Sequence, residues 1–503
     1  MIVFRETKGE TVGCAQYLAR TLDLPSAQAA LAALPGGDPS GASENLRQVL
    51  ARGVAFHNAD LDRQERLVIE ESFRAPQARI RVIVATTTLA MGINTPAEAV
   101  VVVGLEHPGS EPYTVAEYKN IVGRAGRLGL SQRGTSYLLA LTPRDEFDAW
   151  TRYVCGASED LHSRFLAEGT DPRTLIVKVL TAATQVSGQG LSAEDLSSFL
   201  EGSFGAFLQR QTSGQWTWDR QSLAQALDDL AAHALVERSD GQHYVLTPLG
   251  RLAGEAGVEV ETITRLVDVL TPLPPTALTD ATLVTLAQLT VELDDVLFPF
   301  NKKSTDKEPH TWPQQLVRQR VPSAVVQWLG RAVRDQHMAT LRAKRAVACL
   351  LWMTNQPLAQ IERALTQFGG GSDGAAGPIR AVRARTCDVL PAVVRAAELL
   401  HPGLDLSAQQ RRLLTRLELG IPAAATDLAL LAADHLTRAD YLRLLGAGLC
   451  ALQAIEQSED APLLACVDGS ADKLRHLRRA VCASKLQEPK EISLDALLPL
   501  PDE

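Results

Sequence analysis

The chain has 503 residues, 46% of them hydrophobic and 22% charged, with a formal net charge of −9. Its length suffices for about three packed domains, and its acidity argues against a generally basic nucleic-acid-binding surface while leaving room for a local basic groove. The seven cysteines include no CxxC pair, which argues against a zinc knuckle and a disulfide framework. No apolar run reaches the ~18 residues of a membrane span. We therefore expect no metal site, no membrane partner and a cytoplasmic setting.

Residues 1–155 alternate short apolar runs with amphipathic stretches. The apolar runs lie at residues 1–4, 53–57, 81–85, 100–103 and 135–141. This alternation predicts βαβ units and a mostly parallel sheet, and the unbroken Val/Ile runs predict strands that are buried on both faces. The chain begins directly in one of these predicted strands, so we expect it to be part of a longer or split polypeptide.

The character of the sequence changes at residues 171–257, where three helical stretches precede a hairpin. The helical stretches lie at 175–184, 192–200 and 222–235, and the second opens with the cap Ser192-Ala193-Glu194-Asp195. A strand at 236–238, an Asp-Gly turn and a strand at 244–247 predict a β-hairpin. Three helices followed by a hairpin predict a winged helix.

From residue 258 the sequence has helical periodicity almost to its end. We divide it into a helical bundle at 258–400, a second helical segment at 401–486 and an acidic, proline-rich tail at 487–503. Two stretches interrupt the bundle: a polar insertion near 301–312 and a glycine-rich linker at 369–377. The whole chain is thus predicted to be an α/β lobe with a parallel sheet, followed by a winged helix and an all-α bundle.

A first candidate site follows the predicted strand at 82–85, which runs into the hydroxyls of Thr86 and Thr87. The carboxyl end of a parallel strand is where α/β sheets bind phosphates and other ligands. Further along, Gly92 would allow close approach of the backbone, and Asn94 offers an amide to a sugar hydroxyl. Taken alone, a hydroxyl-rich strand end is usually only a turn.

A second candidate site lies at residues 117–127. Read as a helix, this segment spaces Asn120, Arg124 and Arg127 four and three residues apart, so that they project from one face. Two guanidiniums and an amide suit a polyphosphate, because arginine makes bidentate, charge-assisted hydrogen bonds. The alternative is an ordinary pair of surface arginines. We prefer the polyphosphate because both candidate sites occur, in this order, in one α/β domain.

These two segments resemble motifs V and VI of superfamily-two helicases, in the branch of the Ski-like RNA helicases and the archaeal-type DNA repair helicases. Residues 2–8 resemble motif IV, and residues 53–61 resemble the GVxxHHAGL element of that branch. Asn58 replaces the second histidine of this element, and Asp60 replaces its glycine. The resemblance implies a second RecA-like lobe, then a winged helix, a helical ratchet bundle and a helix-hairpin-helix-like end at 401–486.

The resemblance also implies roles for single residues. Arg127 would be the arginine finger, and Arg124 would be its partner on the γ-phosphate of ATP. Nucleotide contacts are implied for Gly92, Asn94 and Asn120, the last of which stands where the family usually has glutamine. Contacts to nucleic acid are expected for Arg5, Thr86, Thr87, Arg380, Arg383 and Arg385, the last three in a segment at 378–400 that resembles the ratchet helix. For that segment the alternative is a solvated arginine face.

The sequence contains no GxxxxGK[ST] phosphate loop and no DExH segment. ATP and Mg²⁺ would therefore be held mainly by a first RecA-like lobe, in the same polypeptide or on a separate chain. We expect the C-terminal half of an ATP-dependent helicase or translocase on single-stranded DNA or RNA, inactive as an ATPase alone. The alternative is a non-catalytic nucleic-acid-binding or scaffold subunit of a helicase-containing complex. A winged-helix transcription regulator is disfavoured, because the wing is a minor part of the chain.

Overall fold

The computed structural model describes residues 1–75, 80–90, 97–107, 111–126, 133–161, 163, 171–188, 190–212, 220–301, 308–333, 337–368, 374–432 and 435–487. The chain divides into two compact units. The first comprises Met1–Pro35, Pro39–Leu350 and Pro357–Leu406, and the second comprises Gly36–Asp38, Leu351–Gln356 and Ser407–Glu503. Within the described ranges, no helix has the length and apolar character needed to cross a membrane.

The first unit begins with a parallel sheet of five strands. The strands are β1 (Ile2–Phe4), β2 (Val54–His57), β3 (Val82–Ala85), β4 (Ala99–Val102) and β5 (Thr135–Leu138). They lie in the order β2-β3-β1-β4-β5, and every pairing is parallel. The first three strands are buried along their whole length, as expected of strands covered on both faces. All five predicted strands and the predicted α/β fold are confirmed.

Helices cover this sheet, and several of them begin with a capping box. They are α1 (Lys8–Thr21), α2 (Gln28–Ala33), α3 (Gly41–Leu50), α4 (Arg63–Arg74), α5 (Val115–Val122) and α6 (Pro143–Ala149), and a π-helix follows at Trp150–Val154. Capping boxes open α1 at Thr7, α3 at Ser40, α4 at Asp62 and α5 at Thr114. Each box satisfies backbone N–H groups of a first turn. Since α1 and α4 directly follow β1 and β2, their capped ends lie where parallel sheets place their ligands.

A three-stranded antiparallel sheet and five helices follow. The helices are α7 (Pro172–Ser187), α8 (Ala193–Glu201), α9 (Phe204–Thr212), α10 (Arg220–Ala232) and α11 (Pro248–Ala256), and the strands are β6 (Leu191–Ser192), β7 (Val236–Ser239) and β8 (His243–Leu246). The predicted cap is present, since Ser192 Oγ accepts from the Asp195 N–H at 3.1 Å. The predicted hairpin joins β7 to β8. Its turn residues Asp240 and Gly241 have φ values of 53° and 72°, as a type I′ turn requires.

The remainder of the first unit is helical. Its helices are α12 (Val260–Leu270), α13 (Asp280–Ala287), α14 (Val291–Asp294), α15 (Glu308–Arg318), α16 (Ser323–Trp328), α17 (Met338–Trp352), α18 (Leu358–Thr366) and α19 (Ala376–Leu400). The longest, α19, packs against α11, α12, α13 and α14. The predicted insertion near 301–312 is partly helical, because α15 begins at Glu308. Residues 302–307 of it, and residues 369–373 of the predicted linker, lie outside the described residues.

The second unit is a small helical domain. Its helices are α20 (Ser407–Leu419), α21 (Thr426–Ala432), α22 (Arg438–Gly446), α23 (Leu452–Gln457), α24 (Asp460–Cys466) and α25 (Ala471–Gln487). Its core is apolar and includes Leu428, Leu444, Ile455, Leu463 and Leu477. The predicted tail lies almost entirely outside the described residues.

Asp440 is a buried carboxylate in this second unit. It accepts hydrogen bonds from Lys473 Nζ at 2.7 Å and from Arg443 Nη2 at 2.6 Å. Burial alone would raise the pKa of Asp440, but the hydrogen bonds from Lys473 and Thr437 outweigh burial and lower it below its usual value. The unfolded chain therefore binds the proton more tightly than the folded unit, so the contribution of Asp440 to stability is lost as the pH falls through this lowered pKa.

We expect Asp440→Asn to lower the urea midpoint of the second unit at pH 7, because the variant leaves Lys473 without its buried carboxylate. The difference from the wild type should shrink when the pH is reduced below the lowered pKa of Asp440, since the carboxyl is then protonated in the folded unit as well as in the unfolded chain. Urea unfolding followed by circular dichroism measures both effects. Asp427→Asn, at an exposed ion pair with Arg412, is the matched control and should change the midpoint little. A difference between wild type and Asp440→Asn that is the same at both pH values would contradict this account.

Candidate nucleotide and nucleic-acid sites

The first candidate site begins where β3 ends, at the carboxyl edge of the sheet. The Thr86 N–H donates to the His57 carbonyl of β2 at 3.2 Å, and a short 3-10 helix follows at Thr87–Ala90. Thr86 is buried and Thr87 is half-buried. Gly92 and Asn94 lie outside the described residues.

The second candidate site departs from the predicted geometry. The prediction of one helix through residues 117–127 is wrong, because α5 ends at Val122 with Gly123 as its C-cap. The next residues pair with Ala97 instead, which donates its N–H to the Arg124 carbonyl at 3.1 Å and accepts from the Gly126 N–H at 3.0 Å. This strand-like pairing is incompatible with helical hydrogen bonds, so Arg124 lies in a turn beyond the helix.

Gly126 explains why the turn needs glycine. Its φ is 68°, in the left-handed region that side chains disfavour. A Cβ at this position would lie 2.4 Å from the backbone nitrogen of Gly134, so any side chain would clash with the segment that leads into β5. The glycine therefore permits a close approach of two backbones just before Arg127.

Asn120 and Arg124, the two of these three predicted residues that the structure describes, do not share one exposed helical face. Asn120 is exposed on α5, whereas only 4% of Arg124 is exposed. Arg127 lies outside the described residues. Of the described donors, the Asn120 amide is therefore accessible to a nucleotide, whereas the Arg124 guanidinium is buried. Among the described residues no group of three or more His, Cys, Asp or Glu side chains could hold a metal ion, and so none could supply a Mg²⁺ site of that kind.

The two candidate sites are nevertheless neighbours in space. Ala97 closes the segment that begins at Thr86, and Ala97 forms a parallel bridge with Ala125. The 3-10 helix at Thr87–Ala90 also packs against α5. The segments that resemble motifs V and VI thus meet at one edge of the sheet, although they are separated in sequence.

Arg5, predicted to contact nucleic acid, is bound by carboxylates of its own lobe. Its Nη2 lies 2.8 Å from Glu10 Oε1, and its Nε lies 3.6 Å from Glu6 Oε2. Burial raises the pKa of Glu6, and the charge of Arg5 opposes this shift. A phosphate would therefore have to compete with Glu10 for Arg5.

The predicted contact helix is α19, and its three arginines have different surroundings. Arg380 donates from Nη1 to the Asp60 carbonyl at 2.6 Å. Burial lowers the pKa of Arg380, while the charges of Asp62 and Glu65 oppose the shift. Arg383 is half-buried and Arg385 is exposed, and Arg385 Nη1 lies 3.6 Å from Asp388 Oδ2. The structure therefore assigns Arg380 a contact within the chain and leaves Arg385 on the surface.

The polar junction between the lobe and α19 is not predicted by the sequence patterns. Asp60 is 1% exposed, and its Oδ1 accepts from Lys8 Nζ at 2.9 Å and from the Gly377 N–H at 2.8 Å. Glu362, from α18, accepts from the N–H groups of Gly41, Ala375 and Ala376 at 2.9, 3.1 and 2.9 Å. The signal in the sequence was Asp60, which stands where the GVxxHHAGL element has glycine.

Known proteins with similar sequences include DNA helicases, in agreement with the resemblance of these segments to helicase motifs. Residues 40–129 match the helicase conserved C-terminal domain. The ATP-dependent DNA helicase Hel308 of Pyrobaculum calidifontis is 34% identical over 260 residues, which cover 50% of this chain and 35% of that protein. The protein of the same name from Methanocella arvoryzae is 30% identical over 274 residues, covering 51% of this chain and 34% of that protein. DNA polymerase theta of Mus musculus is 34% identical over 161 residues, or 32% of this chain and 6% of that protein.

The chain spans about a third of the length of the helicases that it matches. The parallel sheet, the junction of the two motif segments and the matched domain all lie in its first part. Residues 40–129 therefore match the helicase conserved C-terminal domain, and about half of the chain is similar to the Hel308 DNA helicases.

Proposed function

We propose that this chain supplies the second motor lobe and the single-strand path of an ATP-dependent helicase or translocase. The observation that carries the proposal is the parallel bridge between Ala97 and Ala125. It joins the segment that resembles motif V to the segment that resembles motif VI at the carboxyl edge of the sheet. That edge is where parallel α/β sheets bind nucleotides and other ligands.

In this proposal ATP and Mg²⁺ are bound mainly by a first RecA-like lobe, because the sequence has no phosphate loop and no DExH segment. This chain contributes the groups that approach the nucleotide from the opposite side of the cleft. Gly92, Asn94 and Asn120 contact the nucleotide, while Arg124 and Arg127 act on its γ-phosphate. Stabilising charge on a transferring phosphoryl group is the principal task of such arginines.

The nucleic acid is a single strand of DNA or RNA. Thr86 and Thr87 contact its backbone from the sheet edge, and α19 contacts it through Arg383 and Arg385. The same helix begins at the lobe, where Gly377 donates to Asp60, so the lobe and the strand path are directly connected. Arg5 and Arg380 join these contacts only if their internal partners release them.

We expect the purified chain to show no ATP hydrolysis that depends on Mg²⁺ and single-stranded DNA. Phosphate release is measured with and without an oligo(dT) of about thirty nucleotides, and then after addition of a polypeptide that carries GxxxxGK[ST] and DExH segments. The proposal expects activity only in the mixture. Strong hydrolysis by the chain alone, surviving further purification, would show that it holds ATP without a first lobe.

A non-catalytic binding or scaffold subunit is the second candidate, and the burial of Arg124 favours it. Only 4% of this side chain is exposed, and a buried guanidinium can serve packing as well as phosphate contact. The mixing experiment separates the two functions. A scaffold would bind the partner lobe and oligo(dT) without adding to ATP hydrolysis, whereas a motor lobe raises it.

A further inference from the structure

The start of α19 is held by side chains that belong to other elements. The first N–H groups of a helix have no partner within the helix, and Ala375, the N-cap of α19, provides no side-chain cap. Glu362 accepts from the N–H groups of Ala375 and Ala376, and Asp60 accepts from that of Gly377. Two carboxylates therefore replace the missing cap, and negative charge is favourable at this end of a helix.

Asp60 is the member of this pair that belongs to the motor lobe. It lies in the loop between β2 and α4, next to the carboxyl edge of the sheet, and its side chain is 2% exposed. A buried carboxylate is unfavourable unless it is paired. Lys8, in the first turn of α1, supplies the counter-charge at 2.9 Å. The loop after β2, the helix after β1 and the start of α19 thus meet at one buried oxygen atom.

The contact between the loop and α19 is also a close approach of two backbones. A Cβ on Gly377 would lie 2.5 Å from Asp60 Oδ1 and 2.7 Å from the Ala59 carbonyl oxygen. A second hydrogen bond acts from one turn further along α19, where Arg380 donates to the Asp60 carbonyl at 2.6 Å. The loop therefore restrains both the position and the rotation of α19 about its axis.

We propose that Asp60 is a positioning residue, which fixes α19 to the carboxyl edge of the lobe so that movements of this edge are passed to the strand-contacting arginines. The expected effect of Asp60 on strand binding rests on the proposed function. The contacts that join Asp60 to α19 and to Lys8 do not depend on it. The family glycine cannot form it, since glycine has no side chain to accept from Gly377 and Lys8.

Three variants of the full chain test this role. Asp60→Gly removes both hydrogen bonds of the carboxylate, and Asp60→Asn keeps an acceptor for Gly377 but loses the charge that pairs with Lys8. Gly377→Ala leaves all charges unchanged and inserts a methyl group into the close contact. Asp148→Asn, at an exposed ion pair with Arg144, is the matched control.

The first measurement is hydrogen exchange of the backbone amide at position 377, which requires no nucleic acid. A hydrogen bond to a buried carboxylate predicts exchange about tenfold faster in Asp60→Gly, with a smaller effect in Asp60→Asn. Equal exchange in the wild type, Asp60→Gly and Gly377→Ala would overturn the junction. The Asp148→Asn chain should exchange like the wild type.

The second measurement is the dissociation constant for a fluorescent oligo(dT). If Asp60 acted only through its charge, removing it would tighten the binding of an anionic strand. The positioning role predicts the opposite sign, with binding weakened about tenfold in Asp60→Gly and Gly377→Ala, as the loss of one charged hydrogen bond allows. Tighter or unchanged binding by these variants would overturn the proposal, because Asp60 would then cap the start of α19 without affecting the binding of the strand.

The two measurements also separate this inference from the proposed function. If the wild type bound no oligo(dT) at any salt concentration, the single-strand path would be wrong, and hydrogen exchange alone would still decide whether Asp60 holds α19. If the wild type bound oligo(dT) and the variants bound it equally well, the proposed single-strand path would be supported, and the positioning role of Asp60 would be contradicted.

Discussion

Replacing Arg127 by alanine is expected to lower ATP hydrolysis by about three orders of magnitude, once a lobe with GxxxxGK[ST] and DExH segments is supplied. An arginine finger stabilises the charge that develops on the transferring phosphoryl group, and water in an open cleft cannot replace a guanidinium held in position. The measurement is the steady-state rate of the mixture at saturating ATP and oligo(dT). Binding of ATP by the first lobe should change far less than this rate.

Two further variants make the Arg127 experiment specific. Arg127→Lys should restore little of the rate, because an ammonium group lacks the planar pair of donors that matches a phosphate. Arg144→Ala removes an exposed arginine whose side chain is 89% accessible in its ion pair with Asp148, and it should leave the rate unchanged. If Arg127→Ala kept more than about a tenth of the wild-type rate, Arg127 would not be the finger, and another donor would have to stabilise the transferring phosphoryl group.

The strands of the lobe could be predicted because burial on both faces leaves unbroken apolar runs, as in Val82–Ala85. The Asp-Gly turn predicted the hairpin equally well, since both residues adopt the positive φ values that this turn type requires. The end of α5 could not be predicted in this way. Local spacing favoured a longer helix, but pairing with Ala97, distant in sequence, decided the backbone of residues 124–126.

The sequence predicts which types of residue form the candidate site. It predicts the burial and the hydrogen-bond partners of these residues less well. Spacing predicts Arg124 near a phosphate, but it carries no information on the burial of that side chain. The charge of Arg5 and Arg380 predicts contacts to nucleic acid, but Arg5 pairs with Glu10 and Arg380 donates to the Asp60 carbonyl. These partners lie on other turns or elements, so only tertiary structure reveals them. The sequence shows Asp60 as a departure from a family element, but it does not indicate a role for this residue.

The largest expected loss of stability is in the helical bundle, at Asp294. Its side chain is 1% exposed and lies between three arginines. Oδ2 is 3.0 Å from Arg265 Nη1 and 2.8 Å from Arg342 Nη2, and Oδ1 is 3.8 Å from Arg345 Nη2. We expect Asp294→Asn to destabilise the first unit by about 3–5 kcal/mol, because removing one partner leaves buried charge uncompensated.

Urea unfolding followed by tryptophan fluorescence measures this loss, since Trp312 and Trp328 lie in the same bundle. Asp148→Asn provides the matched control, because Asp148 forms an exposed ion pair with Arg144, and such pairs contribute about 0–1 kcal/mol. A loss below about 1 kcal/mol for Asp294→Asn would show that water or other groups reach the arginines and screen them.

Arg345 is the arginine whose removal should relieve the Asp294→Asn variant. Burial lowers the pKa of Arg345 to about 10, with the charge of Asp294 opposing the shift. Within the part of the chain that the structure describes, its Nε and Nη2 make no hydrogen bond, whereas Arg342 also donates to the carbonyls of Leu329 and Arg331. Arg345→Met keeps the packing volume and removes the least satisfied charge, so combining it with Asp294→Asn should recover part of the lost stability. Purely additive losses would instead mean that Arg345 is stabilised independently of Asp294.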